Sequence, residues 1–260
     1  GEASRLMDQF SVTEARTAIA CPRIFYFDER RFRESKVRSK RVTRIWTSTI
    51  GEVVPSGSLF HQTVERFNAT ALRAEGLRQA MVDVSKRPIA DPVEHVWEAA
   101  MRFLNANVLP IKVTKQTAAQ QAAFVRAVHQ YVRELAEVMV YSVRAGRGVE
   151  ETLSEFFGDS RKRVDVTFYV GSDGQPIRVR GSLDYIYFDY RHQRHRVIDF
   201  KLQRPDAVSK DLLQTTLYSL MHHQQHGTSP DAAVMYLHPE RQVVDQSWAQ
   251  VSQNQTKVYD

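Results

Sequence analysis

Residues 195–203 read "HRVIDFKLQ" and place two charged residues, Asp199 and Lys201, within an apolar run. Its apolar residues are typical of a strand with at least one buried face. Side chains alternate along a strand, so Asp199 and Lys201 point to the same side. Burying a charge is costly unless it is paired or bound to a metal. The two residues therefore form either a structural ion pair or part of a site.

The composition is that of an ordinary folded protein. The chain has 260 residues, of which 42% are hydrophobic and 25% charged, as is typical of globular domains. No apolar run approaches the roughly 18 residues of a membrane-spanning helix, and "GEASRLMDQF" lacks the apolar core of a secretion signal. The single cysteine, Cys21, fits a reducing compartment. We therefore expect a cytoplasmic protein with no membrane partner, and the start at Gly1 is consistent with a domain taken from a longer chain.

Positive charge is concentrated in one segment near the start of the chain. The net charge of +6 suits a polyanionic partner without requiring one. One acid, Glu34, lies among the basic residues Arg30, Arg31, Arg33, Lys36, Arg38, Lys40, Arg41 and Arg44. Such a cluster attracts the phosphates of a nucleic acid or an anionic membrane surface, but it is equally typical of a solvated loop.

The first 150 residues are predicted to be mainly helical. Residues 11–14 have the spacing of a capping box, and a helix is predicted over about 58–74. Asp91 and Pro92 suit the N-cap and first position of another helix. The longest helix is predicted over about 115–145, where apolar residues recur at spacings of four and three: Phe124, Val128, Tyr131, Leu135 and Val138.

Residues 151–260 are predicted to form the sheet of an α/β (α+β) protein. Four segments predict its strands, at residues 163–170, 177–190, 194–203 and 232–238. The turn residues "GSDG" between the first two predict an antiparallel pair. A helix is predicted over about 209–226, where Gly227 ends it. We expect one mixed sheet flanked by helices, within a single domain of residues 1–260.

Two acidic residues can meet on adjacent predicted strands. Asp184 lies in the second strand, in "GSLDYI", and Asp199 lies in the third. Their carboxylates offer hard oxygen ligands for Mg²⁺ or Mn²⁺. A bound metal polarises a phosphoryl oxygen and lowers the pKa of its water. Lys201 is placed to hold that water or to offset developing charge.

These motifs resemble those of the PD-(D/E)xK nuclease superfamily. Within it they resemble the RecB-like branch, which includes the nuclease domains of recombination helicases and the CRISPR adaptation exonucleases. "GSLDYI" matches the family's Gly-x-x-Asp strand, "IDFK" its acid-x-lysine motif, "GSLFH" its glycine-to-histidine helix and "QTTLY" its Gln-x-x-x-Tyr helix. D-x-K occurs often by chance, whereas four motifs in the right order are specific together. The resemblance implies a restriction-endonuclease-like fold.

The resemblance also implies roles for individual residues. His61, Asp184 and Asp199 would bind Mg²⁺ or Mn²⁺, with the Phe200 carbonyl as an extra oxygen. Lys201 would be the catalytic lysine.

Residues on other segments would bind the substrate or lie beside the site. Gln214 and Tyr218, on one helix face, would position the lysine and the nucleic-acid backbone. The basic residues between 30 and 44 would contact phosphates. For Glu65, one helical turn beyond His61, two interpretations stand: a residue that supports the metal ligands, or a solvated helix residue, which we favour.

One departure from the family concerns iron. In many relatives the cysteine before Pro-Arg is the first of four ligands to an iron–sulfur cluster. Here no cysteine follows Cys21, and a cluster needs about four thiolates, so we expect none.

Two functions follow from the resemblance. The first is a metal-dependent deoxyribonuclease that acts on single-stranded DNA or free ends, as an exonuclease, and leaves a 5′-phosphate. DNA repair, CRISPR adaptation and phage defence all use such domains. The alternative is a catalytically silent or partner-dependent nucleic-acid-binding subunit of a helicase–nuclease or defence complex.

Overall fold

Helices dominate the first half of the described chain and strands the second. The computed structural model describes residues 8–15, 56–109, 117–158, 163–170, 175–203 and 208–253. Its helices are α1 (Ser56–Ala71), α2 (Glu75–Lys86), α3 (Pro92–Asn107), α4 (Ala118–Arg144), α5 (Val149–Phe157), α6 (Ser209–His226) and α7 (Trp248–Gln253). Its strands are β1 (Asp8–Ser11), β2 (Arg163–Val170), β3 (Gln175–Ser182), β4 (Tyr185–Asp189), β5 (Arg194–Gln203), β6 (Asp231–His238) and β7 (Gln242–Gln246).

Several helix ends follow the predicted local chemistry. The Asp91 side chain accepts a hydrogen bond from the Glu94 amide at 2.9 Å, and Pro92 is the first residue of α3. Helix α6 ends at Gly227, whose φ of 72° lies in the left-handed region that favours glycine. The capping box at residues 11–14 is also present, with reciprocal bonds of 2.7 and 3.2 Å.

The strands form two sheets, so the prediction of one sheet is wrong. In the first, of order β1-β3-β2, β1 is parallel and β2 antiparallel to β3. In the second, of order β4-β5-β6-β7, β5 and β6 are parallel and the chain crosses between them through α6. The fold is thus a mixed α/β arrangement of the restriction-endonuclease type.

The predicted strand over 177–190 is interrupted at Leu183 and Asp184, where the chain passes from the first sheet to the second. A two-residue break leaves the alternation of apolar residues almost intact, so the pattern conceals it. The two halves bury different faces. Val179 of β3 packs in the core beside α6, whereas Tyr185 and Tyr187 of β4 pack in the core of α1 to α5.

Strand β5 separates two hydrophobic cores. Ile198 and Phe200 belong to the larger core, which the helices α1 to α5 fill. Val197 belongs to the smaller core, which includes Leu217 and Met221 of α6. Because side chains alternate, Asp199 and Lys201 lie on the α6 side of the strand. In the described part of the chain, no helix is long and apolar enough to cross a membrane.

Candidate active site

Two acidic residues stand together where β4 begins. Tyr185 pairs with Ile198 in the antiparallel β4–β5 ladder, so the preceding residue, Asp184, is next to Asp199. Asp184 thus lies just outside a strand, and the prediction that it lies within one is wrong in this detail. Burial, together with the negative charge of Asp184, raises the pKa of Asp199 to about 7, although Lys201 acts in the opposite direction. The pair therefore resists double ionisation, and a cation would relieve that repulsion.

Lys201 forms an ion pair with Asp199. Its Nζ lies 2.7 Å from Asp199 Oδ2, and its side chain is 23% exposed. Burial lowers the pKa of Lys201, but the charge and hydrogen bond of Asp199 together with the charges of Asp211 and Asp184 outweigh this, so the pKa of Lys201 is raised overall. Lys201 is therefore charged at neutral pH. An ion pair alone needs one carboxylate, and the second one, on Asp184, indicates a site.

His61 reaches the same region from the helical layer. A cavity of about 30 Å³ is lined by Phe60, His61, Val64, Glu65, Asn68, Asp184, Tyr185 and Phe200. About 10–15 Å³ suffices for one water molecule, so this space accepts an ion or a small number of waters. Glu65, interpreted from sequence as solvated, is exposed and also lines the cavity.

The structure brings part of the predicted ligand set to this cavity. His61, Asp184 and Phe200 line it, whereas Asp199 stands beside Asp184 against Lys201. Within the described ranges, no three histidine, cysteine or acidic side chains are gathered closely enough to hold a metal ion. The complete ligand set therefore stays a prediction.

Tyr218 of α6 joins the site through a close contact with Gly181. Burial raises the pKa of Tyr218 to about 12, although hydrogen bonds with the Gln214 side chain and the Ser182 backbone act against this. The nearby charge of Asp184 adds to the rise. A Cβ on Gly181 would lie 2.5 Å from Tyr218 Cε1. The glycine of one motif and the tyrosine of another thus form one packing contact.

Replacing Gly181 by alanine should therefore destabilise the protein. The added methyl group would also lie 2.6 Å from Val12 Cγ2, and overpacking of this kind typically costs about 1–3 kcal/mol. Denaturant unfolding should show the loss, and cleavage should fall because the Tyr218 ring is displaced. The matched control is Gly76→Ala, since a Cβ there meets nothing within 4 Å. Equal stabilities of Gly181→Ala and wild type would contradict the packing argument.

Asp211 is a neighbour of the site that the sequence analysis missed. It lies in the first turn of α6, and its negative charge contributes to the raised pKa of Lys201, after the larger effects of burial and Asp199. The Tyr236 hydroxyl donates to Asp211 Oδ2 at 3.1 Å, and Tyr236 is the ladder partner of Lys201. Its position one turn before Gln214 was the available sequence signal.

The predicted nucleic-acid arm, Arg30, Arg31, Arg33, Lys36, Arg38, Lys40, Arg41 and Arg44, lies outside the described residues. Cys21 does as well.

Fold and site together define a restriction-endonuclease-like protein. A family model of the PD-(D/E)XK nuclease superfamily matches residues 9–259, and the chain belongs to this superfamily. Its members are nucleases that typically depend on divalent metal ions. Neither a curated protein nor a solved structure gives a significant match.

Proposed function

We propose that this chain is a metal-dependent deoxyribonuclease of the RecB-like branch. It would hydrolyse phosphodiester bonds in single-stranded DNA or at free ends, as an exonuclease, and leave a 5′-phosphate. The observation that carries the proposal is the pair formed by buried Asp199 and half-buried Asp184 beside a charged lysine. A binding module has no use for two carboxylates that repel each other and a nucleic acid, whereas a hydrolase has.

The donor set suits Mg²⁺ or Mn²⁺. Asp184 and Asp199 supply hard oxygens, the Phe200 carbonyl a third and His61 a nitrogen. The raised pKa of Asp199 supports this assignment, because a divalent cation would offset the repulsion that contributes to it. A bound ion supplies Lewis acidity at the phosphoryl group and lowers the pKa of water.

The remaining residues act on the substrate and on the lysine. The Lys201 ammonium offsets the negative charge that develops on the phosphoryl oxygens and orients the attacking water. Gln214 and Tyr218 orient Lys201 and a backbone phosphate. Asp211 lies on the α6 side of Lys201 and favours its charged form.

The basic residues between 30 and 44 support a nucleic-acid substrate, since lysine and arginine side chains neutralise backbone phosphates. DNA is proposed over RNA on the resemblance to RecB-like nucleases. If a helicase or another subunit completes the enzyme, cleavage will require that partner.

A cleavage assay on labelled DNA tests the proposal. Linear and circular forms of single- and double-stranded DNA, and one RNA, are incubated with Mg²⁺, Mn²⁺ or EDTA. We expect metal-dependent cutting of linear single strands, resistance of circles and no cutting in EDTA. Tight DNA binding without cleavage in either metal would contradict the proposal for the isolated chain and favour a binding or partner-dependent subunit.

A further inference from the structure

The three predicted metal-binding side chains each have an aromatic neighbour in sequence. Phe60 precedes His61, Tyr185 follows Asp184 and Phe200 follows Asp199. All three rings belong to the larger core. Because neighbouring residues share a peptide unit, a backbone shift at such an aromatic residue moves the adjacent ligand as well.

The three rings contact one residue, Tyr131 of α4. The ring centroid of Tyr131 lies 4.9 Å from that of Phe200 and 6.0 Å from that of Phe60, at interplanar angles of 85° and 88°. The Tyr185 ring is 6.2 Å away at 52°. Edge-to-face pairs prefer defined orientations, so these contacts constrain the rings in both distance and angle.

The Tyr131 hydroxyl adds directional contacts to the same segments. It donates to Asn68 Oδ1 at 2.8 Å and shares a 2.6 Å hydrogen bond with the Tyr185 hydroxyl. Asn68 lies two turns beyond His61 on α1, and both line the cavity. Tyr131 thus ties the helix that carries His61 to the strand that begins after Asp184.

Tyr131 is fully buried, with 0% of its surface exposed. Burial raises its pKa far above the usual value, so the hydroxyl is neutral. Leaving a buried hydroxyl without a hydrogen-bond partner is costly, and here Asn68 and the Tyr185 hydroxyl are its partners. The hydroxyl contacts therefore fix the geometry more strictly than apolar packing alone would.

We propose that Tyr131 is a positioning residue that sets the spacing between the segments carrying His61, Asp184 and Asp199. This inference rests on the proposed function, because it concerns the metal site of that function. Mg²⁺ demands near-ideal octahedral geometry at about 2.0–2.1 Å. The predicted ligands lie on α1, immediately before β4 and on β5, and Tyr131 contacts a residue next to each of them.

The test compares the Mn²⁺ affinity of two tyrosine-to-phenylalanine variants. Titration calorimetry and electron paramagnetic resonance measure this affinity. Tyr131→Phe keeps the ring and removes the hydroxyl, and we expect the dissociation constant to rise about 10-fold, as for other residues that orient metal ligands. The control is Tyr187→Phe, on the same strand as Tyr185 and similarly buried. Within the described chain its hydroxyl makes no hydrogen bond, so Tyr187→Phe should bind Mn²⁺ as the wild type does.

The outcomes separate this inference from the function on which it rests. Equal Mn²⁺ affinity of folded Tyr131→Phe and Tyr187→Phe overturns the positioning role and leaves the nuclease untouched. If the wild-type protein binds no Mn²⁺, or if the Asp184→Asn variant binds Mn²⁺ as tightly as the wild type does, the proposed metal site is wrong and this inference fails with it. Should Tyr131→Phe not fold, Tyr185→Phe removes the other hydroxyl of the same bond and is subject to the same comparison.

Discussion

Asp199→Asn should abolish DNA cleavage and at the same time make the metal-free protein more stable. The carboxylate would be lost as a metal ligand; since removing even one hydrogen-bond donor from an oxyanion hole lowers kcat by about 10²–10³-fold, we expect a loss of at least that size. The free energy of unfolding of the metal-free protein should increase. Asparagine has the shape of a protonated aspartate but carries no charge, and the surroundings of residue 199 disfavour a charged carboxylate. A purely structural ion pair predicts a loss of stability instead.

The pH dependence follows from the sign of the shift. The pKa of Asp199 is raised to about 7 in the folded state, against about 3.9 in an unfolded chain. As the pH rises, Asp199 therefore loses its proton in the unfolded chain before it does so in the folded protein. Asp199 thus destabilises the folded state progressively between about pH 4 and pH 7. In EDTA, the excess stability of Asp199→Asn over wild type should grow across this window. An excess stability that is the same at pH 4 and pH 7 would contradict this account.

Two further variants complete the comparison. Lys201→Ala should lose cleavage to a similar extent, but it removes the charge that lowers the pKa of Asp199 and should not gain stability. Asp83→Asn serves as the control for cleavage. Asp83 of α2 forms an ion pair with Arg87, the residue that follows this helix, at 2.9 Å and outside the site. Its removal should leave cleavage unchanged.

Of the substitutions proposed here, Asp189→Ala should cause the largest decrease in the free energy of unfolding. The Asp189 side chain is 0% exposed and accepts hydrogen bonds from the Arg191 guanidinium at 2.9 Å and from Arg196 at 3.2 Å. Removing one partner from a buried ion pair typically costs about 3–5 kcal/mol. Urea unfolding at pH 7 measures this. The matched control is Asp165→Ala, because Asp165 also pairs with two arginines, Arg178 and Arg180, but on the exposed face of the β2–β3 hairpin.

Exposed ion pairs contribute little, so the Asp165 variant should lose far less stability than the Asp189 variant. Similar losses in the two would contradict the role of burial. Burial alone would raise the pKa of Asp189, but hydrogen bonds from Arg191 and His192 lower it well below its usual range. Its stabilisation is therefore complete above the unfolded-state pKa of about 3.9 and is lost as the pH falls below it. The difference between wild type and Asp189→Ala should shrink accordingly.

Local chemistry made several elements predictable. The ends of α3 and α6 depend on Asp91, Pro92 and Gly227, and each acts within one helical turn. Helix α2 had a signal that the sequence analysis overlooked, because Leu77, Ala80, Met81 and Val84 are all buried and follow helical spacing. Such features are encoded in neighbouring residues and can be detected in one sequence.

Features that depend on distant partners were not predictable in this way. The stripe on α4 indicated that Tyr131 is buried, yet its hydroxyl bonds to Asn68 and Tyr185, 63 and 54 residues away. The switch between sheets at Leu183 depends on which core each half of the segment meets. The motif spacing indicated that Asp184 and Asp199 are neighbours, but the contact between Gly181 and Tyr218 depends on how α6 packs on β3 and is not encoded in either motif.

The predicted catalytic groups approach β5 from opposite sides, His61 with the helical layer and Gln214 and Tyr218 with α6. Neither half of the molecule therefore carries a working set by itself. A chain still being synthesised, or one that has lost either layer, lacks groups needed for hydrolysis. Under the proposed function, nucleic-acid cleavage would therefore require both layers to be folded, and a copy that lacks either layer would be inactive.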